Sequence, residues 1–287
     1  MGLLRSTALA ACLVLVGPAL WAEPASRIAS IGGSVTEIVY ALGQQDRLVA
    51  RDTTSTYPPE AEVLPDVGYI RALSPEGLMS VDPDLILTED GAGPPEAVEM
   101  LRAAAIPMIE VPGGHTAEAV RAKILAVGAA LEVPEAAQVL ADSVDAQLAA
   151  AAEAAHARPA KKVLFILSMQ GGRILAAGRD TSAEGIITLA GAENALTAFS
   201  GYKPVTDEAI AAAAPDVILM MSRGGAADAG HGTADQALAH PALAITPAGQ
   251  SGAVVRMEGM LLLGFGPRVG EAVTELSAAL QSAGHDS

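Results

Sequence analysis

The stretch GYIRALSPEGLMSVDPDLIL, Gly68 to Leu87, is written a second time as GYKPVTDEAIAAAAPDVILM, Gly201 to Met220. Each copy opens on Gly-Tyr and reaches a helix start, Ser74-Pro75-Glu76 in the first and Thr206-Asp207-Glu208 in the second. Each then offers about two helical turns, a Pro-Asp break and a short apolar strand. The glutamate precedes the proline by seven positions both times. A unit used twice predicts two similar lobes with a cleft between them, a shape suited to holding a small molecule.

Outward from these copies the same order recurs. Arg27 to Ile31 reads as a strand, Gly32-Gly33 as a turn, and Ser34-x-x-Glu37 as a capping box opening the helix IVYALG. In the second half Lys162 to Leu167 reads as a strand, Gly171-Gly172 follows, and Thr181-x-x-Glu184 again reads as a capping box, before IITLAGAENAL. Further strands are expected at Leu48–Ala50, Leu85–Leu87, Met108–Val111, Val217–Met221 and Val254–Met257, with helices at Glu96–Ala105 and Arg268–Ala283. Strands alternating with helices predict parallel α/β layers. Between the copies, Thr116 to Arg158 carries helix signals broken near Pro134. Pro134 to Ala157, alanine-rich with apolar Val139, Leu140, Val144 and Leu148, reads as one long connecting helix.

The expected fold is therefore α/β, with two similar Rossmann-like lobes joined by a rigid helix. The expected division is a leader at 1–22, a first lobe at 23–133, the connector at 134–158 and a second lobe at 159–287. The leader reads as a cleavable secretory signal. Arg5 supplies the positive start, Ala8 to Val16 the apolar run, and Trp21-Ala22 precedes a cut before Glu23. Leu9-Ala10-Ala11-Cys12 resembles a lipoprotein box, but the apolar run continues past it. The one cysteine and the one tryptophan both fall in the leader, which leaves the exported chain without disulfide or thiolate chemistry. A net charge of −16 excludes a nucleic-acid partner, which would need a basic face. No G-x-S-x-G, H-E-x-x-H, Walker loop or C-x-x-C is present, so nothing in the sequence supports an enzyme.

The segments IGGSVTEIVYALG, DVGYIRALSPEGLMSVDPDLIL, AAGRDTSAEGIITLAGAENA, GYKPVTDEAIAAAAPDVILM, HPALAITPAG and LLLGFGPR resemble the periplasmic haem-binding proteins of bacterial haem ABC importers. These belong with the siderophore- and cobalamin-binding proteins, whose class III architecture is two α/β lobes on a rigid helix with limited closure. A siderophore or cobalamin carrier of the same fold is the alternative reading. The resemblance implies a periplasmic monomer that carries ferric haem b to an ABC permease and its ATPase, with no catalytic cofactor.

In those proteins the tyrosine of the G-Y-x-R stretch ligates ferric iron; here it is Tyr69. Ferric iron is hard and prefers an anionic oxygen, and tyrosine is a known axial haem ligand. A free phenol is neutral near pH 7, so iron and a nearby cation must favour the phenolate. Arg71, two residues on, could serve the phenolate or a haem propionate. Tyr202 is the counterpart in the second copy, either contacting the porphyrin or packing within its own lobe. Lys203 and Arg173 are candidate propionate partners. Some relatives have a histidine in the second lobe that supports a second haem. This chain has Ser168-Met169-Gln170-Gly171-Gly172 there, which points to one haem, with Met169 a candidate porphyrin contact rather than a ligand to ferric iron. His231 reads as a solvated loop residue. In the resembling group a glutamate on each lobe docks on permease arginines, which implies that role for Glu76 and Glu208.

Overall fold

The computed structural model describes residues 24–222 and 232–284; the leader and His231 lie outside the described residues. Two sheets divide the chain. The first is built from β1 (Ile28–Ile31), β2 (Leu48–Arg51), β3 (Leu85–Glu89) and β4 (Met108–Val111) in the order β2-β1-β3-β4, and every pairing is parallel. Its helices are α1 (Gly33–Ala41), α2 (Pro75–Ser80), α3 (Pro95–Ala103) and α4 (Ala117–Ala130). The long helix α5 (Pro134–His156) follows, as the composition predicts.

The second sheet draws on β5 (Lys162–Gln170), β6 (Arg173–Ala177), β7 (Glu193–Asn194), β8 (Tyr202–Val205), β9 (Val217–Ser222) and β10 (Val254–Glu258). Its order is β10-β9-β5-β6-β8, with β7 also paired to β5. Helices α6 (Ser182–Leu189), α7 (Asp207–Ala213), α8 (Ala234–Ala239), α9 (Pro241–Ala244), α10 (Pro247–Ser251), α11 (Gly259–Leu263) and α12 (Val269–Ser282) complete it. This sheet is not purely parallel. β6 runs antiparallel to β5 and β8 antiparallel to β6. The cause is the Gly171-Gly172 turn: both residues have positive φ, 56° and 76°. That is the backbone a two-residue hairpin needs and glycine supplies at least cost.

The strands of the first sheet are four or five residues long. β1 is buried throughout and β3 nearly so, as expected of parallel strands covered on both faces. α5 presents Ala137, Ala141, Val144, Leu148 and Ala155 to the core, a helical stripe of mostly small side chains that lets α4 and α12 pack closely. Val139, which the apolar reading placed with them, is 71% exposed. One continuous cluster of buried residues runs from Ile28 and Val120 through this stripe to Phe165 and Leu276, so the connector is core to both halves. No helix among the described residues is long and apolar enough to cross a membrane.

The two expected capping boxes differ, and neither closes in full. Thr181 caps α6, accepting from the Glu184 backbone N–H at 3.1 Å, but the Glu184 carboxylate takes the N–H of Asp180, one residue before the N-cap, at 2.7 Å. The expectation at Ser34 and Glu37 is corrected: α1 begins at Gly33 with no side-chain cap, because the N-cap is Gly32, which has no side chain, and Ser34 and Glu37 lie inside the helix and turn to Lys123 and Arg268.

Candidate binding cleft

In open α/β sheets ligands bind beyond the carboxyl ends of the strands. Tyr69 lies in the loop that leaves that end of β2. Its backbone is held from two sides. On one side, the Arg51 guanidinium pairs with Asp66 at 3.2 Å, the Asp66 carboxylate accepts from the Gly68 N–H at 2.9 Å, and the Thr53 N–H donates to the Gly68 carbonyl at 2.9 Å. On the other, the Gly93 N–H donates to the Ile70 carbonyl and the Leu73 N–H to the Gly93 carbonyl, at 2.9 and 2.8 Å. Ile70 and Leu73 anchor the loop in the core beside β1 and β3.

The side chain is left out of this bracing. Tyr69 is 41% exposed, and among the described residues no side chain engages its hydroxyl. Arg71 is exposed too, with its Nη1 beside the Gly91 turn at the end of β3. A rigid backbone thus carries an uncommitted phenol and an uncommitted guanidinium two residues apart.

The bracing loop itself hangs on a buried carboxylate. Asp52 is fully buried and accepts from the Gly32 and Thr54 N–H groups at 3.1 and 3.2 Å and from the Ser55 hydroxyl at 2.8 Å. Ser55 continues to Thr36 at 2.6 Å and Thr36 to Ser30 at 2.7 Å. This chain of hydroxyls ties the loop after β2 to the β1–α1 turn. Sequence reasoning missed it, although four consecutive hydroxyl residues after Asp52 (Thr53 to Thr56) were a visible signal.

In the second sheet the carboxyl end of β5 runs into the β5–β6 hairpin. Ser168, Gln170, Gly171, Arg173, Ile174, Leu175 and Pro204 line a concavity of about 510 Å³. Arg173 is exposed at its rim. Met169 alternates to the other face and packs with the buried cluster around Ile166 and Met220. Lys203 is exposed, its ammonium 5.7 Å from the Phe199 ring centroid. Tyr202 sits apart from the strand ends. Its hydroxyl is 3.0 Å from Ser182 Oγ and its ring 6.3 Å from that of Phe165. Phe165 precedes Gln170, the end of β5, by a distance of roughly 16 Å at ~3.3 Å per residue. Tyr202 therefore packs within its own half, between sheet and helix.

Glu76 and Glu208 occupy the second position of α2 and α7, behind Ser74 and Thr206, whose side chains accept from Gly77 and Ala209 N–H groups at 3.1 and 3.3 Å. Both glutamates are exposed. The Glu208 carboxyl is held below its ordinary value by its own backbone N–H and by the Thr206 hydroxyl.

The model of one family, described as periplasmic binding protein, matches residues 28–260. This chain belongs to that family. Among solved structures, the periplasmic heme-binding protein BhuT in complex with two hemes is 43% identical, with a TM-score of 0.84 over 90% of this chain and 98% of that one. The family is one of binding proteins for transport, not of enzymes. Among curated relatives, the uncharacterized ABC transporter substrate-binding lipoprotein YvrC of Bacillus subtilis (strain 168) is 30% identical over 69% of this chain, and the match spans 63% of YvrC's own length. A vitamin B12-binding protein of Vibrio campbellii is 30% identical over 68% of this chain and 70% of its own.

Proposed function

We propose that this protein captures ferric haem in the cleft between its lobes, holds the iron through the Tyr69 phenolate, and delivers it to an ABC permease with its ATPase. The observation that carries the reading is the contrast in the two Gly-Tyr copies: Tyr202 spends its hydroxyl on Ser182, whereas Tyr69 is exposed on a braced loop with its hydroxyl unspent. A braced loop limits the entropy lost when a ligand binds, and a phenolate is the donor that ferric iron selects. Arg71 stabilises that phenolate or a propionate, Arg173 at the rim of the hairpin concavity is the cation offered by the second lobe, Lys203 lies farther back on β8 beside Phe199 as a weaker propionate candidate, and Met169 backs the hairpin. Tyr202 supports the second lobe from within.

Similarity to BhuT over nine-tenths of the chain favours haem over cobalamin, whose carrier matches a shorter stretch at lower identity. BhuT holds two hemes; residues 168–172 of this chain contain no histidine, and we propose a single equivalent. Glu76 and Glu208, one on each lobe, are the contacts we assign to the permease. The protein works as a periplasmic monomer, exported by a signal at 1–22 that is cleaved to leave lobes at 23–133 and 159–287 around the connector at 134–158.

The test is an optical titration of the purified protein with haemin, run in parallel with cyanocobalamin. A shifted Soret band and a high-spin ferric charge-transfer band of the phenolate type, breaking at one equivalent, are expected. Binding of cyanocobalamin with silence toward haemin would replace the reading, and a break at two equivalents would overturn the stoichiometry.

A further inference from the structure

The connector α5 is not the only link between the two halves. The segment Gly264–Arg268, which follows α11 on the second side, lies against the strand ends of the first. Lys123, on α4, is 1% exposed. Its ammonium forms an ion pair with Glu89 at the end of β3, donates to Ser34 Oγ at 3.0 Å, and reaches the carbonyls of Gly264 and Phe265 at 3.4 Å each. Arg268 crosses in the other direction. Its Nη2 and Nε donate to the two carboxylate oxygens of Glu37 at 2.6 and 3.1 Å, and its guanidinium lies 3.5 Å from the centroid of the Tyr57 ring.

These contacts are built rather than incidental. Glu37 is 7% exposed and its fork with Arg268 is bidentate, the geometry that fixes orientation as well as charge. Phe265 adopts a φ of 49°, a left-handed conformation that a bulky residue holds only when its surroundings determine it; here its carbonyl is bound by Lys123 and its ring centroid lies 5.3 Å from that of His115, the planes tilted by 58°. Side chains of each half also press on glycine backbone of the other. A methyl placed on Gly33 would meet Met260 Cε at 2.5 Å, and one on Gly266 would meet Glu37 Oε2 at 3.1 Å. A cation from each half thus ends on acceptors of the other, and neither set can be kept if the halves rotate apart.

We infer that Gly264–Arg268 is a bolt between the lobes, and that Lys123 and Arg268 are positioning residues that set the width of the cleft. The bolt engages the elements from which the Tyr69 loop hangs. Ser34 and Glu37 follow the Gly32-Gly33 turn, whose N–H groups donate to Asp52 and Thr54 of that loop, and Glu89 precedes the Gly91 turn beside Arg71. Movement there changes the spacing of Tyr69 from the β5–β6 hairpin without touching either wall. The inference concerns the lobes alone and does not depend on which ligand the cleft holds.

The experiment is a spin-label distance measurement without ligand. Val63 and Ile245, 85% and 64% exposed on the two halves, are replaced by cysteine in the full chain carrying Cys12→Ser, which leaves the labels as its only thiols. The expected distribution is single and narrow; a broad or bimodal one in the otherwise unaltered chain overturns the bolt at once. Lys123→Met and Arg268→Met should each broaden it or shift its mean by several ångströms. Arg268→Lys, which keeps the charge and loses the fork, should fall between. A merely structural role would lower the melting temperature and leave the distribution of the folded fraction unchanged, and that result also overturns the proposal. Should either methionine variant fail to fold, Arg268→Lys and Ser34→Ala decide it, since a distribution identical to the parent's in both rejects the bolt.

Discussion

The two halves of this protein start from matched sequence and put it to different use. In the first, the Gly-Tyr unit is a loop whose tyrosine stands outside the packing; in the second, the same unit is a sheet strand whose tyrosine is absorbed into it. The helix openings diverge the same way. Thr181 and Glu184 bond to backbone at their own helix opening, while Ser34 and Glu37 turn to a lysine and an arginine far off in the chain. One half is finished locally. The other commits its helix-opening side chains to distant partners and leaves the Tyr69 ring exposed, so matched sequence ends in unlike surroundings.

The largest effect that sharpens this contrast is at the helix openings. Glu37→Ala strands the Arg268 guanidinium half-buried and should cost about 3–5 kcal/mol, whereas Thr181→Ala removes a helix cap and should cost about 0.5–2 kcal/mol. Denaturant unfolding of the two variants checks it. Equal losses would mean that the two openings are equivalent after all.

Next comes the tyrosine pair. Tyr69→Ala should weaken haemin binding at least tenfold, ~1.4 kcal/mol, and abolish the phenolate charge-transfer band. Tyr202→Phe should leave affinity within a factor of about two and cost the fold only the Ser182 hydrogen bond, about 0.5–1.5 kcal/mol. An affinity loss in Tyr202→Phe matching that of Tyr69→Ala would put both tyrosines in the cleft and break the asymmetry argued here.

The glutamates are where the halves should stay alike. Glu76→Ala with Glu208→Ala is expected to leave haemin affinity unchanged and to stop uptake in vesicles containing the permease, since exposed ion pairs contribute orientation more than energy. Normal transport by the double variant would remove the docking role from both lobes together.

What could be read in the sequence follows from range. β1, β4, α5 and the two Pro-Asp units emerge from local periodicity and turn chemistry, because neighbouring residues decide them. β6 and β8 did not emerge, though Gly171-Gly172 carried the hairpin signal; β8 is a four-residue edge strand containing Pro204 and β6 a short strand beside it, and neither has the long apolar run of β5 or β9. The Ser34-x-x-Glu37 motif is a sound local pattern set aside because α1 starts earlier, on Gly32, which leaves both side chains inside the helix and Glu37 to a partner 231 residues away. Tyr69 is a candidate through its motif, and of its side chain the structure adds only that it is exposed. Its bracing by Asp66 and Asp52 was not legible, because no spacing rule announces a buried carboxylate held by hydroxyls.

The smallest effect is a titration, and it reads the seam directly. Burial pushes the His115 imidazole below its ordinary 6.5, and the Lys123 charge pushes it the same way, while Glu89 opposes them. The unfolded chain therefore takes that proton first, and the stability His115 supplies is present above pH 6.5 and declines as the pH falls below it. Glu37 has the reverse sign. Burial raises its carboxyl above 4.5 against the pull of Arg268, so its share is full below pH 4.5 and is lost as the pH rises through its folded value. Lys123→Met removes the cation and leaves Glu89 unpaired, and both changes favour the imidazolium. The His115 midpoint, followed by NMR, should then move up toward 6.5 or beyond, and the acid-side loss of stability should become shallower. If His115 titrates identically in the variant, the lysine charge does not reach the face of Phe265, and the two halves meet there through packing alone.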